Sequence, residues 1–446
     1  MDSIGLATAI TNYWRDKFPG GEGQAQEPAQ LYTIDGIQRR IKKALSNRSA
    51  RAWLAKLGWN WKEVRKAIYK DGHERPDVQE YRQNIFLPRM ASFKSRMMEW
   101  DDDLQPIIKQ LGAGEKPLVF ITHDESTFNS NDGRKRIWIH EDKSPLRKKG
   151  RGQGLHVSDY LTLIGRLDDG NVCETLKCGG NIWWTGELMM EQLTNKAIPA
   201  FERAFPGCQA LFAFDNAKCH QKYATDALRT GNMNLTPGGK NTVPMRDGWF
   251  VQADRPGEIQ KQSMMLPDGR LKGLRNVLQE RGLWPTGRKF LAQCSIPGES
   301  PGTTKLNPAC KYASNASCCA RALLSSQPDF QAQKGELQET IEAAGHLVIF
   351  YPVYHCELNF IEYFWGRAKM YARAHCDYTF PGLVRVVPEA LEYVSKQLIY
   401  KYYQRTLRMM DAYRNNIVYG SEDFKRHVFT RYSSHRRIPE SQLHVT

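Results

Sequence analysis

The chain has 446 residues, enough for two or three domains and at least one large hydrophobic core. Hydrophobic residues make up 41% and charged residues 25%, as in globular proteins and unlike disordered or fibrous ones. Lysine and arginine number 63 against 48 acidic residues, a net charge of +15, which favours polyanionic partners, nucleic acid first and an anionic membrane surface second. Charge alone leaves open a merely basic enzyme.

The sequence carries no sign of export or membrane insertion. No window approaches about 20 consecutive apolar residues, so no transmembrane helix is predicted. The N-terminal stretch "MDSIGLATAITNYWRDKFPGG" lacks the basic start and long apolar core of a secretory signal. Ten cysteines in such a chain predict a reducing compartment with free thiols or metal ligands. We expect an intracellular protein, and a nuclear one if its partner is DNA.

The N-terminal part predicts a helix-turn-helix module at 31–75, after a polar, poorly ordered leader at 1–30. "IDGIQRRIKKAL" places apolar residues at four-residue steps, "SNRS" breaks the helix, and "RSARAWLAKLGWN" forms a second one. The second helix of such a module enters the major groove, which would make Arg48, Arg51 and Lys56 DNA-binding residues. An ordinary helical hairpin with a solvated basic face is the alternative.

A helical connector at 76–112 leads into a strand-rich segment at 113–230. "PLVFITHDEST", "KRIWIHE" and "LHVSDYLTLIGRLDD" read as strands, and "ALFAFDNA" as a further strand after a helix. This order predicts an α/β domain with a mixed sheet.

One loop of this segment, "GRKRIWIHEDKSPLRKKGRGQG", is dense in positive charge. Such a loop can follow a DNA backbone, and a solvated hairpin is the equally weighted alternative. Its candidate DNA-binding residues are Arg134, Lys135, Arg136, Arg147, Lys148 and Lys149.

Residues 231–335 are rich in glycine, proline and serine and predict a loop-rich insertion. Its four cysteines would suffice to bind one structural Zn²⁺, but their spacing is irregular and leaves ordinary thiols open. These candidate zinc ligands are Cys294, Cys310, Cys318 and Cys319. Residues 336–380 return to a strand and a helix, and residues 381–446 predict C-terminal helices and a basic tail.

Three carboxylates share one context. Asp124 follows "PLVFITH", Asp215 follows "ALFAF", and Glu362 lies in a helix just after "HLVIFYP". An acid at the end of a buried strand is costly to keep ionised unless a cation or a donor compensates it. Two adjacent strands ending in Asp, with a Glu from a nearby helix, would gather the oxygen ligands that a pair of Mg²⁺ or Mn²⁺ ions requires. Each acid alone would be an ordinary turn or cap residue.

The motifs around these acids resemble DDE transposases of the mariner-like superfamily, in a branch common in fungal genomes. The matching stretches are "THDESTF", "FAFDNAKCH" and "ELNFIEYFWG", with "DGHERPDVQEYRQ" and "MRDGWF" as longer signatures. The resemblance covers residues 35–415. The interval between the second and third acids exceeds the family's usual one, and the insertion accounts for the excess. Family members usually carry two helix-turn-helix units, but only one is clear here, which leaves open a shortened N-terminus.

The resemblance implies an RNase H-like catalytic domain and a cut-and-paste transposase. Such an enzyme binds terminal inverted repeats on double-stranded DNA, hydrolyses a phosphodiester and joins the freed 3′-hydroxyl to target DNA. Asp124, Asp215 and Glu362 would hold two Mg²⁺ or Mn²⁺ ions.

The resemblance also implies supporting roles and an assembly. Asn216 and His220 would orient Asp215 or contact phosphate, and Asn359 would cap the helix that presents Glu362. Because two transposon ends must be paired, a homodimer or larger assembly is expected. The alternatives are a transposase-derived DNA-binding protein that no longer cleaves and a nuclease on RNA–DNA hybrids, which the helix-turn-helix disfavours.

Overall fold

The computed structural model describes residues 72–430 apart from several gaps, together with short segments at 30–32, 38–40, 55–56 and 60–63. The gaps are residues 102, 135, 140–148, 180–182, 218, 241, 253–256, 288–289 and 295–317. The predicted leader, the basic tail and most of the helix-turn-helix module lie outside the described residues. So do the candidate residues Arg48, Arg51, Lys135, Arg147, Lys148 and Cys310.

The described strands are short apart from the two that form the centre of the main sheet. In chain order they are β1 (Gln30–Tyr32), β2 (Gln38–Arg40), β3 (Asn60–Glu63), β4 (Glu99–Trp100), β5 (Pro106–Ile107), β6 (Leu118–Asn129), β7 (Arg136–Ile139), β8 (Gly154–Thr162), β9 (Gly165–Arg166), β10 (Glu174–Lys177), β11 (Gln209–Phe214), β12 (Gly248–Val251), β13 (Ile259–Gln262) and β14 (Leu347–Phe350).

The longest described helices lie near the C-terminal end. In chain order the α-helices are α1 (Pro76–Tyr81), α2 (Leu87–Phe93), α3 (Gly186–Gln192), α4 (Ile198–Ala204), α5 (Leu274–Glu280), α6 (Ala320–Ser325), α7 (Pro328–Gln331), α8 (Glu336–Ala343), α9 (Phe360–His375), α10 (Phe380–Glu392), α11 (Lys396–Arg414) and α12 (Glu422–Lys425). Within the described residues, no helix is both long and apolar enough to cross a bilayer.

The predicted first helix of the N-terminal module is wrong where the structure describes it. Residues 38–40 form β2, which pairs antiparallel with β1. A four-residue spacing of isoleucines, as at Ile37 and Ile41, places both on one face of a strand as well as of a helix. The spacing therefore did not distinguish the two, and pairing between strands satisfies the backbone hydrogen bonds here.

The main sheet has the order β10-β8-β6-β11-β14, with β9 added to β8. β10 and β6 each pair antiparallel with β8, which lies between them, whereas β11 and β14 run parallel to β6. This arrangement confirms the predicted α/β domain with a mixed sheet. The two parallel neighbours follow helices, as parallel connections require.

Helices cover both faces of this sheet. Phe120 of β6 packs against Phe360 of α9 and Tyr403 of α11, with ring centroids 6.0 Å apart in both pairs. On the opposite face, the hydroxyl of Tyr160 in β8 lies 3.8 Å from the Met189 sulfur of α3. Because side chains alternate along a strand, the even-numbered residues of β6 face α9 and the odd-numbered ones face α3.

The insertion contains more structure than the predicted loops. It forms the β12–β13 hairpin and the helices α5, α6 and α7 around a core separate from the main one. Arg281 donates two hydrogen bonds to the buried Asp329, at 2.9 and 2.6 Å. Because the insertion is rich in glycine and proline, the sequence did not predict the short helix α5. Its residues Leu274, Val277 and Leu278 are fully buried.

Candidate catalytic and metal-binding site

Asp124 and Asp215 occupy the same level on two neighbouring strands. In the parallel pairing of β6 with β11, Thr122 is the partner of Ala213, and each aspartate follows its strand residue by two positions. Adjacent strands lie about 4.8 Å apart. Asp215 directly follows β11, as predicted, but β6 continues past Asp124 to Asn129 in its pairing with β8. The two aspartates therefore lie side by side just beyond the last parallel pair, although they are far apart in the sequence.

Glu362 reaches the same edge from the first turn of α9. The Thr122 hydroxyl donates to Asn359 Oδ1 at 2.5 Å, and the Glu362 backbone N–H donates to the Asn359 carbonyl at 3.1 Å. Because Thr122 and Asp124 share one face of β6, this contact holds the start of α9 over the face that carries Asp124.

Asn359 occupies the predicted N-cap position of α9, in an extended conformation. Its side chain, however, accepts no hydrogen bond from the first turn of the helix. The carboxamide oxygen accepts from Thr122 instead. Asn359 thus joins α9 to β6, which places Glu362 by a tertiary contact.

The three carboxylates interact strongly. Asp124 is only 8% exposed and accepts a hydrogen bond from the Glu125 backbone N–H at 2.8 Å. Burial and then the negative charges of Glu362, Glu125 and Asp215 raise the pKa of Asp124 well above its usual range. Glu362 is more exposed than Asp124, and partial desolvation with the charge of Asp215 raises its pKa, against an opposing effect of Lys369.

His220 bridges Asp215 and Glu125. Its Nδ1 donates to Asp215 Oδ1 at 2.6 Å, and its Nε2 lies 3.4 Å from Glu125 Oε1. Burial lowers the pKa of His220, but the hydrogen bond to Asp215, the neighbouring Cys219 and the negative charge of Glu125 raise it to about 12. Burial opposes ionisation of Glu125, yet His220 lowers the pKa of Glu125 to about 2. An imidazolium therefore holds Asp215 ionised and fixes the position of its Oδ1.

The Asn216 side chain makes hydrogen bonds to two residues other than Asp215. Its Nδ2 donates to the backbone carbonyl of Tyr351, just after β14, and its Oδ1 accepts from Gln221 Nε2 at 2.8 Å. The side chain joins the ends of β11 and β14 and, among the described residues, makes no contact with the Asp215 carboxylate.

Lys369 belongs to the site and was missed from the sequence. It lies two helical turns after Glu362 on α9, is half-buried, and places its ammonium 5.6 Å from the Phe128 ring centroid. Burial, then Arg373, lower the pKa of Lys369, and the charge of Glu362 opposes them. No carboxylate in the described part of the chain lies within ion-pair distance of it. The seven-residue spacing in "EYFWGRAK" was the available signal.

The structure describes four of the predicted basic residues, namely Lys56, Arg134, Arg136 and Lys149. Lys56 and Lys149 are exposed, and Arg136 lies in β7, while Arg134 donates to the Ala374 carbonyl at 3.4 Å. Arg134 is thus the one that contacts the last turn of α9.

Three of the four cysteines of the insertion come together. The sulfur atoms of Cys294, Cys318 and Cys319 lie within 4.8 Å of one another, and Cys319 is fully buried. This arrangement suits a zinc site that needs one further ligand, and Cys310 lies outside the described residues.

No family model and no curated protein matches the chain. Among solved structures, it is similar to the Mos1 mariner paired end complex with Mn, at 12% identity and a TM-score of 0.41, over 93% of this chain and 88% of that one. The Mos1 Strand Transfer Complex gives 12% identity and a TM-score of 0.39 over the same shares. The Mos1 transposase catalytic domain with Raltegravir and Mg gives 10% identity and a TM-score of 0.36, over 79% of this chain and 100% of that one. Similarity at this level assigns neither an activity nor single residues to this chain.

Proposed function

We propose that this protein is a DDE-type endonuclease and transposase of the mariner-like superfamily that acts on double-stranded DNA. One observation carries the proposal: Asp124, within β6, and Asp215, directly after β11, are in register on two parallel strands, and Glu362 lies in the first turn of the helix on the same face. The motifs around these residues, which resemble that superfamily, support the same reaction.

The donor set fits divalent cations. Three carboxylates supply the hard oxygen ligands that Mg²⁺ and Mn²⁺ prefer, and burial together with the negative charges of Glu362 and Glu125 raises the pKa of Asp124. Asp124, Asp215 and Glu362 would hold two such ions. When bound, the ions supply an activated water or hydroxyl and stabilise the leaving oxygen of a phosphodiester.

The neighbouring side chains prepare this site. His220 uses Oδ1 of Asp215, as does the Ala217 backbone N–H at 2.9 Å, so Oδ2 is the oxygen that accepts no hydrogen bond from the described residues. Lys369 offers an ammonium beside the carboxylates, at a suitable place for a backbone phosphate.

The proposed partners follow from the reaction and the charge. A net charge of +15 favours binding to DNA ends and target DNA, and pairing two ends requires at least two copies of the chain. We therefore propose a homodimer or larger assembly on DNA, in the nucleus, with the cysteine cluster of the insertion as a structural zinc site.

A nicking assay on supercoiled plasmid in Mn²⁺ tests the proposal. We expect the wild-type protein to nick the plasmid, and Asp124→Asn, Asp215→Asn and Glu362→Gln to lose nicking while they still bind duplex DNA. Asp268→Asn, an exposed acid of the insertion paired with Arg270, is the matched control and should behave as wild type.

Binding without nicking by pure wild-type protein would contradict the proposal and favour a transposase-derived binding protein. Preferential cleavage of an RNA–DNA hybrid in a competition assay would contradict it as well.

A further inference from the structure

Side chains from three distant parts of the chain meet around Glu357, in the turn that precedes α9. His73 comes from the beginning of the main described segment, His355 from the same turn, and Tyr413 from the end of α11. Glu357, His73 and His355 are 7%, 5% and 2% exposed, so the cluster is buried. It lies outside the three proposed catalytic carboxylates.

Three donors converge on one oxygen of Glu357. The Tyr413 hydroxyl donates to Oε1 at 2.6 Å, His355 Nδ1 lies 2.7 Å from it and His73 Nε2 3.2 Å. Arg82 faces His355 Nε2 at 3.2 Å, and because a guanidinium only donates, the proton of His355 is on Nδ1 and points to Glu357. A buried carboxylate with three donors is fully satisfied without a cation.

The rest of the surroundings agree with this assignment. His73 Nδ1 lies 2.6 Å from Glu74 Oε1, so both of its ring nitrogens face carboxylates and both carry protons. The Tyr413 oxygen, 2.9 Å from His73 Nε2, is a second acceptor for that nitrogen.

The cluster is joined to the proposed catalytic helix. Tyr363, the neighbour of Glu362, donates its hydroxyl to the Glu357 backbone carbonyl at 3.0 Å. Leu358 and Asn359 continue the turn with backbone hydrogen bonds to His355 and Cys356, at 3.0 and 3.1 Å. A shift of Glu357 therefore shifts the residue from which α9 starts.

We propose that Glu357 is a positioning residue: by gathering His73, His355 and Tyr413 it fixes the first turn of α9 and thereby places Glu362 against Asp124 and Asp215. This inference rests on the proposed metal-dependent function. It gives a role to two stretches that the sequence singled out, "DGHERPDVQEYRQ" and "ELNFIEYFWG", because the first supplies His73 and Arg82 and the second begins with Glu357.

A metal ion bound by His73, His355 and Glu357 is the competing interpretation, since their ligand atoms lie within 4.8 Å of one another. In that state His355 would ligate through Nδ1 and carry its proton on Nε2. That proton would face the Arg82 guanidinium, which is also a hydrogen-bond donor, and the two would repel each other. The metal-free cluster, with the His355 proton on Nδ1, is therefore favoured over the metal-bound one.

Mn²⁺ binding, followed by the paramagnetic resonance signal of free Mn²⁺, tests the proposal apart from catalysis. The Mn²⁺ binding that is lost in Asp124→Asn is assigned to the carboxylate site. We expect Glu357→Gln to weaken that part about tenfold, as loss of a group that supports metal ligands commonly does, and Tyr413→Phe to weaken it less. Asp329→Asn removes another buried carboxylate, in the insertion, and should leave the Mn²⁺ affinity of the carboxylate site unchanged.

The inference is overturned if Glu357→Gln and Tyr413→Phe both bind Mn²⁺ with wild-type affinity. If Glu357→Gln does not fold, wild-type Mn²⁺ affinity in Tyr413→Phe is enough to overturn it. Stoichiometric zinc in the purified protein that is lost in His73→Ala also overturns it, in favour of a metal site. If the wild-type protein binds Mn²⁺ through Asp124 but does not nick DNA, the proposed function is contradicted. The role of Glu357 is still decided by the Mn²⁺ affinities of the variants.

Discussion

Asp124 is the carboxylate of the proposed site whose ionised form is most strongly disfavoured. Its pKa is raised above the unfolded value of 3.8, first by burial and then by Glu362 and Glu125. A raised carboxyl pKa favours the protonated form in the folded protein, so the stability that this group contributes is present below 3.8 and is lost as pH rises through the folded pKa. The metal-free protein at neutral pH therefore holds an unfavourable charge.

We predict that Asp124→Asn stabilises the metal-free protein. At pH 7.5 without divalent cations, thermal unfolding should occur about 2 °C or more higher than in the wild type, because asparagine does not ionise. The difference should shrink in acid, and Mn²⁺ should stabilise the wild type only. A lower unfolding temperature for the variant at pH 7.5 would show that Asp124 has a compensating partner.

Lys369 is the second residue with a measurable consequence. We predict that Lys369→Ala weakens duplex binding and reduces the slope of log K against log salt concentration by about 1, because one phosphate contact is lost. Lys401→Ala, an exposed lysine on α11, is the matched control. An unchanged slope in Lys369→Ala would exclude a phosphate contact.

At this scale the sequence predicted the identity of the carboxylates better than their neighbours. Strand endings and motif resemblance singled out Asp124, Asp215 and Glu362, but hydrogen-bond partners depend on which face each strand presents. Glu125, an alternative to Asp124 by sequence position, belongs to the opposite face and pairs with His220. The partner of Asn359 is likewise a residue of a distant strand, which no local pattern encodes.

Among the elements, the insertion forms its own packed unit, and its buried ion pair gives a test. We predict that Asp329→Asn costs about 3–5 kcal/mol of local stability, since it leaves Arg281 buried without its partner. Hydrogen exchange should then speed up in α5, α6 and the β12–β13 hairpin but not in α9. Equal acceleration in α9 would show that the two cores unfold together.

The elements of the main sheet were predictable because their apolar runs are long and bounded by turns. "PLVFITH", "ALFAF" and "HLVIFYP" each correspond to a strand. At β2 the spacing of apolar residues gave the wrong prediction, because it fits the period of a strand as well as that of a helix. In the insertion, the glycine-rich composition predicted loops where the chain forms helices. The order of the strands in the sheet comes from long-range pairing, which entered the prediction through the resemblance.

The whole molecule combines a strongly basic charge with a carboxylate site, so DNA binding and metal binding should separate. We predict that chelation with EDTA abolishes nicking but leaves duplex affinity intact, because most of the attraction comes from Lys and Arg. Filter binding with and without EDTA measures the duplex affinity, and the nicking assay under the same conditions measures cleavage. Loss of duplex binding on chelation would instead make the metal part of the DNA interface.

The central claim is that Asp124, Asp215 and Glu362 jointly hold divalent cations, and anomalous diffraction from crystals grown with Mn²⁺ tests it most directly. The account predicts an anomalous peak about 2.0–2.6 Å from carboxylate oxygens of all three residues, which disappears in Asp124→Asn. A peak at His73, His355 and Glu357, with none among the three acids, would contradict it.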